Sequence, residues 1–138
     1  MKIGLIGAGR LGICLALLIE KAGYKVLASD NREEYIKDLQ KGIIDTAEPE
    51  VQGYLSEANN IEFTTDNIRV IAECNIIFTL VATPSLEDGS YDVSAVWKVI
   101  DDFKNIPISL DEKSLVVGCT TNPGDCNDFE NALKDTGI

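Results

Sequence analysis

Short apolar runs alternate along this chain with segments whose apolar residues recur at helical spacing. Lys2-Ile3-Gly4-Leu5-Ile6 reads as a buried strand. A glycine turn begins at Gly7. Leu11, Leu15, Leu18 and Ala22 then fall at helical intervals up to Gly23, a fitting C-terminal stop. Lys25-Val26-Leu27-Ala28-Ser29 predicts a second strand that ends at Asp30, and a polar helix carrying Tyr35, Ile36 and Leu39 runs to Gly42. Glu48-Pro49-Glu50-Val51 marks a further helix start, where acidic residues suit the positive helix end. Ile61-Glu62-Phe63-Thr64 predicts a short strand and Asn75-Ile76-Ile77-Phe78-Thr79-Leu80-Val81 a longer one. Asp88-Gly89-Ser90 is a turn. Asp92 then caps a helix whose Val93, Val96, Trp97, Ile100 and Phe103 share one face. Ser114-Leu115-Val116-Val117-Gly118 reads as another buried strand. Asn122-Pro123 opens the last helix, with proline in its first turn. Five strands alternating with helices predict an α/β fold of the doubly wound kind, a mostly parallel sheet covered on both faces. No repeat, low-complexity tract or linker divides residues 1–138, so one domain is expected.

Composition narrows the chemistry. The chain has 138 residues, 45% of them hydrophobic, which suffices for a core. Its net charge of −11 argues against a nucleic-acid partner, which needs clustered Lys and Arg, and against an anionic membrane surface. No apolar run reaches the roughly 18 residues of a membrane span, and the N-terminus lacks a signal-peptide layout. The sequence contains no histidine, which excludes a Ser–His–Asp hydrolase, a His-ligated zinc centre and a histidine base within these residues. Cys14, Cys74, Cys119 and Cys126 form no Cys-x-x-Cys pair, so no metal site is expected. Reduced thiols and a cytoplasmic location fit this usage. The acidic pairs Asp101-Asp102 and Asp111-Glu112 read as solvated faces.

Gly7-Ala8-Gly9-Arg10-Leu11-Gly12 is a G-x-G-x-x-G that follows a strand and opens a helix, the context that gives this pattern meaning. Gly7 permits the tight turn, Gly9 lets a pyrophosphate approach the backbone, and Gly12 lets the helix pack closely on the sheet. Open amides and the positive helix end would face the phosphates. Arg10 either touches phosphate or is solvated. Asp30 closes the second strand 18 residues after Gly12, where a carboxylate accepts ribose hydroxyls and repels a 2′-phosphate. Together these features favour NAD over NADP. Arg32 weakens that preference by offering a phosphate partner.

Two further segments carry a resemblance. Val81-Ala82-Thr83-Pro84-Ser85-Leu86-Glu87-Asp88-Gly89-Ser90-Tyr91-Asp92-Val93-Ser94 resembles the V-x-T-P…D-G-S-x-D-x-S signature of the UDP-glucose/GDP-mannose dehydrogenase family. Glu48-Pro49 with Tyr54-Leu55, and Cys119-Thr120-Thr121-Asn122-Pro123-Gly124, are similar to that family's E-P and S-T-x-P-x-G segments. The likeness runs through nearly the whole chain in the same segment order. It implies the NAD-binding domain of a nucleotide-sugar 6-dehydrogenase, an enzyme class that oxidises a sugar alcohol to a carboxylate through a cysteine adduct. Carried onto this sequence, Gly7, Ala8, Gly9, Arg10, Leu11, Gly12, Asp30 and Arg32 would hold the ADP half of NAD. Val81, Ala82, Thr83 and Thr120 would line the nicotinamide side, with Thr120 also a candidate to orient a catalytic water. The alternative for Thr83 and Thr120 is a turn-making hydroxyl.

The chain also departs from the family. Arg10-Leu11 stands where the family has Tyr-Val, Tyr35 where a basic residue is common, and proline in the last turn comes one residue late. The family's nucleophilic cysteine and its substrate domains would lie beyond residue 138. None of the four cysteines matches that nucleophile, and Cys119 takes the serine place of the S-T turn. The expected function is therefore the cofactor-binding portion of the dehydrogenase, inactive alone, with a nucleotide-sugar partner only when the remaining domains are present. A stand-alone NAD-binding module, as a sensor or a partner-completed subunit, is the alternative. The chain stops where a sixth strand is expected, so its last sheet edge should associate with a copy or a partner.

Overall fold

The computed structural model describes all 138 residues. In chain order the elements are β1 (Lys2–Ile6), α1 (Arg10–Lys21), β2 (Lys25–Ser29), α2 (Glu33–Gln40), α3 (Val51–Glu57) and β3 (Ile61–Thr64). They continue with α4 (Asn67–Glu73), β4 (Ile76–Thr79), α5 (Ser94–Asn105), β5 (Ser114–Val117) and α6 (Asp125–Leu133). The five strands form one parallel sheet in the order β3-β2-β1-β4-β5. The doubly wound α/β fold expected from the sequence is the fold observed. Strand order reverses at β1, so the chain leaves β1 and β4 in opposite directions. A crevice opens there, outside the carboxyl ends of the strands.

Period-two alternation divides the strand side chains between two cores. Ile3, Leu5, Val26 and Ala28 pack under Ile13, Ala16 and Leu17 of α1, Ile36 and Leu39 of α2, and Leu55 of α3. Ile6, Leu27 and Ile77 face Val70 and Ile71 of α4, Val96, Ile100 and Phe103 of α5, and Phe129 of α6. Trp97 meets Phe129 edge to face, with centroids 4.9 Å apart. Gly4 explains how α4 lies so close to the central strand. A Cβ there would stand 2.7 Å from Val70 Cγ1 and 3.0 Å from Cys74 Cβ.

Several local expectations are corrected. The sequence pattern did not reveal α4, a seven-residue helix with only Val70 and Ile71 buried. Its start is set by Asp66, which accepts the Arg69 N–H at 3.2 Å. β5 is not buried. Its residues alternate between exposed and half-buried because it is an edge strand, and Val116 is 38% exposed. β4 ends at Thr79, short of the expected Val81, although the Leu80 N–H still bonds the Ile6 carbonyl of β1 at 2.8 Å. Val93, not Asp92, is the N-cap of α5; the Asp92 carboxylate instead accepts the Ser94 N–H at 2.9 Å. Pro123 lies outside α6, before a left-handed Gly124 cap at φ 97°.

At the amino ends of β1 and β3 and along α4, Lys2 and Arg69 interleave with Glu62 and Glu73. The Arg69 guanidinium holds the Glu62 carboxyl below its ordinary range, and Lys2 does the same for Glu73. Carboxyls depressed in the folded state add stability above their unfolded pKa of about 4.3, and this is lost as pH falls through the lowered values. The thermal midpoint should therefore drop below about pH 4.5 in low salt, and Glu62→Gln should flatten that dependence. An unchanged slope in the variant would show the network to be energetically silent. Because these groups are exposed, added salt should shrink the effect.

Candidate cofactor-binding site

The crevice at the β1/β4 reversal is a cleft of ≈ 640 Å³, within the range of small-molecule sites. The turn after β1 forms its floor. Gly7 sits at φ 102°, and a Cβ there would come within 2.7 Å of the Leu80 carbonyl. The Ser29 carbonyl accepts both the Gly7 N–H at 2.9 Å and the Ala8 N–H at 3.0 Å. Those two amides are thus committed to the neighbouring strand and do not face a ligand. The open amides come next, at Gly9 and in the first turn of α1, where no earlier carbonyl lies within reach of an intrahelical bond. The Ile13 N–H is the first to close the helix, onto the Gly9 carbonyl at 2.9 Å.

The three loop glycines serve different purposes. A Cβ on Gly12 would stand 2.0 Å from the Gly7 carbonyl oxygen, so this glycine is required by the fold itself. A Cβ on Gly9 would meet nothing within 4 Å, although Gly9 adopts an ordinary φ of −66°. No steric contact requires a glycine at Gly9, which is also the N-cap of α1, a place that suits glycine. The bare backbone it leaves is open to solvent, and an NAD pyrophosphate fits the floor on that observation.

A second wall of the cleft is built at the tip of β2. The Asp30 side chain is 8% exposed. Its Oδ1 accepts Arg32 Nε at 2.7 Å and the Arg32 backbone N–H at 3.1 Å, and its Oδ2 accepts Arg32 Nη2 at 2.8 Å. A carboxylate has about four acceptor sites, so one remains on Oδ2 for a ribose hydroxyl. The Arg32 guanidinium carbon lies 4.1 Å from the centroid of the Tyr35 ring. Tyr35 in turn donates its hydroxyl to the Ala8 carbonyl at 2.8 Å, and burial pushes this phenol up.

Of the residues expected at a cofactor site, Gly7, Gly9, Arg10, Leu11, Asp30, Arg32, Val81 and Ala82 line the cleft. Ala8 does not; it is fully buried beneath the turn. Gly12 is buried behind the loop. Thr83 and Thr120 stand outside the cleft lining, Thr83 half-buried and Thr120 exposed. Arg10 is 85% exposed, with its Nε 3.7 Å from the Glu48 carboxylate. The pattern missed Asn67, Leu80, Ala95 and Lys98, which complete the walls. Asn67 is held from both sides, accepting the Ser29 hydroxyl at 2.7 Å and donating to Asp102 at 3.1 Å.

Beyond the carboxyl ends of β4 and β5, Asn122 ties two loops together. Its side chain accepts the Tyr91 N–H at 2.8 Å and donates to the Tyr91 carbonyl at 3.0 Å. This joins the segment after β4 to the turn after β5. Burial raises the thiols of Cys14 and Cys119 and pushes Cys74 up to about 11, which holds all three away from reactive thiolate.

A sequence profile described as the UDP-glucose/GDP-mannose dehydrogenase family, NAD binding domain, matches residues 1–137. The UDP-glucose 6-dehydrogenase of Rickettsia bellii is 30% identical over 142 residues, covering 100% of this chain and 32% of that protein. That of Rickettsia felis is 31% identical, covering 100% and 31%. A GDP-mannose dehydrogenase from Pseudomonas aeruginosa, solved as a ternary complex, matches with a TM-score of 0.87 at 24% identity, covering 100% of this chain and 33% of its own. The native UDP-N-acetyl-mannosamine dehydrogenase of Staphylococcus aureus matches at 0.88 and 24%, covering 100% and 34%. These two show a shared fold. The chain spans about a third of the length of the relatives it matches. With the glycine turn, the Asp30 tip and the profile match in agreement, the chain belongs to the UDP-glucose/GDP-mannose dehydrogenase family and forms its NAD-binding domain.

Proposed function

We propose that this chain is the cofactor-holding portion of an NAD-dependent nucleotide-sugar 6-dehydrogenase, and that these 138 residues do not complete the oxidation alone. The observation that carries the reading is Gly9, a glycine facing open space at the head of α1 in the same cleft as Asp30. The pyrophosphate would rest on the amides of Gly9, Arg10 and Leu11. The remaining acceptor site of Asp30 would take an adenosine ribose hydroxyl. Val81 and Ala82 would flank the path toward the nicotinamide. Thr83 and Thr120, at the mouths of β4 and β5, would meet the nicotinamide or a water beyond it. When bound, NAD supplies hydride transfer; the chain's own contribution is binding and orientation. The raised thiols of Cys14, Cys74 and Cys119 support placing the nucleophile elsewhere in the enzyme.

Calorimetric titration of the chain with NADH and with UDP-glucose tests this. NADH should bind weakly and UDP-glucose should not bind. Asp30→Ala should weaken NADH at least about tenfold, since losing a hydrogen bond to a charged group is worth roughly 1.5–3 kcal/mol. Tight UDP-glucose binding, or NADH affinity indifferent to Asp30, would overturn the reading.

A further inference from the structure

Resting on the cofactor reading above, we propose that Arg32 converts the adenosine end of the cleft into a subsite that admits a 2′-phosphate, so that the chain binds NADP as well as NAD. A carboxylate at the tip of the second strand normally rejects NADP because it is an unpaired negative charge where the 2′-phosphate must lie. Here that charge is not unpaired. Arg32 grips both Asp30 oxygens in a two-pronged contact at 2.7 and 2.8 Å. A fork of this kind is the strongest common ion-pair geometry. Three of the roughly four acceptor sites on Asp30 are taken by Arg32 alone.

The guanidinium that neutralises Asp30 also has capacity to spare. Only Nε and one N–H of Nη2 are used on Asp30, out of five N–H donors. The side chain is 55% exposed, lines the cleft, and is held over the Tyr35 ring with its guanidinium carbon 4.1 Å from the centroid. Its remaining donors are therefore fixed in place beside the ribose position before any ligand arrives. Planar guanidinium donors in this geometry suit phosphate oxygens. Lys98 adds a further positive charge to the cleft lining, while Arg10 is paired with Glu48 at 3.7 Å, so the cleft and its rim carry three cations against two carboxylates. That small local excess favours the added negative charge of a 2′-phosphate in a chain of net charge −11.

The test compares NADH and NADPH, with 5′-AMP and 2′,5′-ADP as shorter probes, by fluorescence or calorimetric titration of the 138-residue chain. NADPH should bind within about tenfold of NADH, and 2′,5′-ADP at least as tightly as 5′-AMP. Arg32→Ala should shift the NADPH-to-NADH affinity ratio at least tenfold toward NADH. Arg32→Gln, which retains one donor toward Asp30, should shift it the same way. Binding of NADH with NADPH more than tenfold weaker overturns the inference on the unaltered chain, whatever the variants do. A ratio unmoved by both variants overturns it too. Failure of both dinucleotides to bind is a different result, and removes the cofactor reading itself.

Discussion

Gly12→Ala is expected to destabilise the fold by about 3 kcal/mol or more, lowering the thermal midpoint by on the order of 10 °C. The direction is the opposite of what helix propensity gives. Gly12 lies in the first turn of α1, and alanine there should gain up to about 1 kcal/mol from reduced chain freedom. Against that gain stands a Cβ only 2.0 Å from the Gly7 carbonyl oxygen. That oxygen belongs to the turn whose amides are bound to Ser29, so it has little room to retreat. Relief requires α1 to lift from the sheet, which opens contacts made by Ile13, Ala16 and Leu17. Chemical or thermal unfolding followed by circular dichroism would measure the loss. A midpoint equal to or above that of the unaltered chain would show that the close approach of helix to strand is not required.

Gly9→Val should give the reverse pattern: a folded chain whose NADH affinity falls at least about a hundredfold, near 2.7 kcal/mol. Valine can adopt the φ of −66° found at this position, and nothing lies within 4 Å of its Cβ. As an N-cap it costs about 1 kcal/mol, partly offset by the smaller freedom of the unfolded chain. The thermal midpoint should stay within about 5 °C. The branched side chain, however, occupies the surface on which the pyrophosphate would lie. Titration with NADH checks the loss, and the midpoint measured on the same sample shows that unfolding is not its cause. Unchanged affinity would mean that phosphates pass elsewhere. The two glycines, three positions apart in one motif, thus separate the requirements of folding from those of binding.

The sequence revealed the β1–α1–β2 unit well because its signals are local. An apolar run, glycines at fixed offsets and a carboxylate at the next strand end all fall within about thirty residues. Walls contributed by distant elements were less legible. Asn67, Leu80, Ala95 and Lys98 reach the cleft from α4, the exit of β4 and α5, and no spacing rule connects them to Gly7. α4 escaped because seven residues with two buried positions give too little periodicity to see. β5 looked like a core strand because its composition is apolar, and only the strand order shows that it stands at the rim. The Arg32–Asp30 fork likewise depended on a choice of side-chain direction. Arg32 turns back across one residue to the strand tip, which composition does not specify.

The Ser29 carbonyl, shared by two amides of the glycine turn, has a consequence for speed. Together with the Tyr35 hydroxyl on the Ala8 carbonyl, it fixes the turn without any help from a guest molecule. A cradle already rigid when empty loses little freedom on occupancy. Arrival of the dinucleotide should then be governed by collision and orientation, with no slow rearrangement ahead of it, and differences among variants should surface in how long the guest stays.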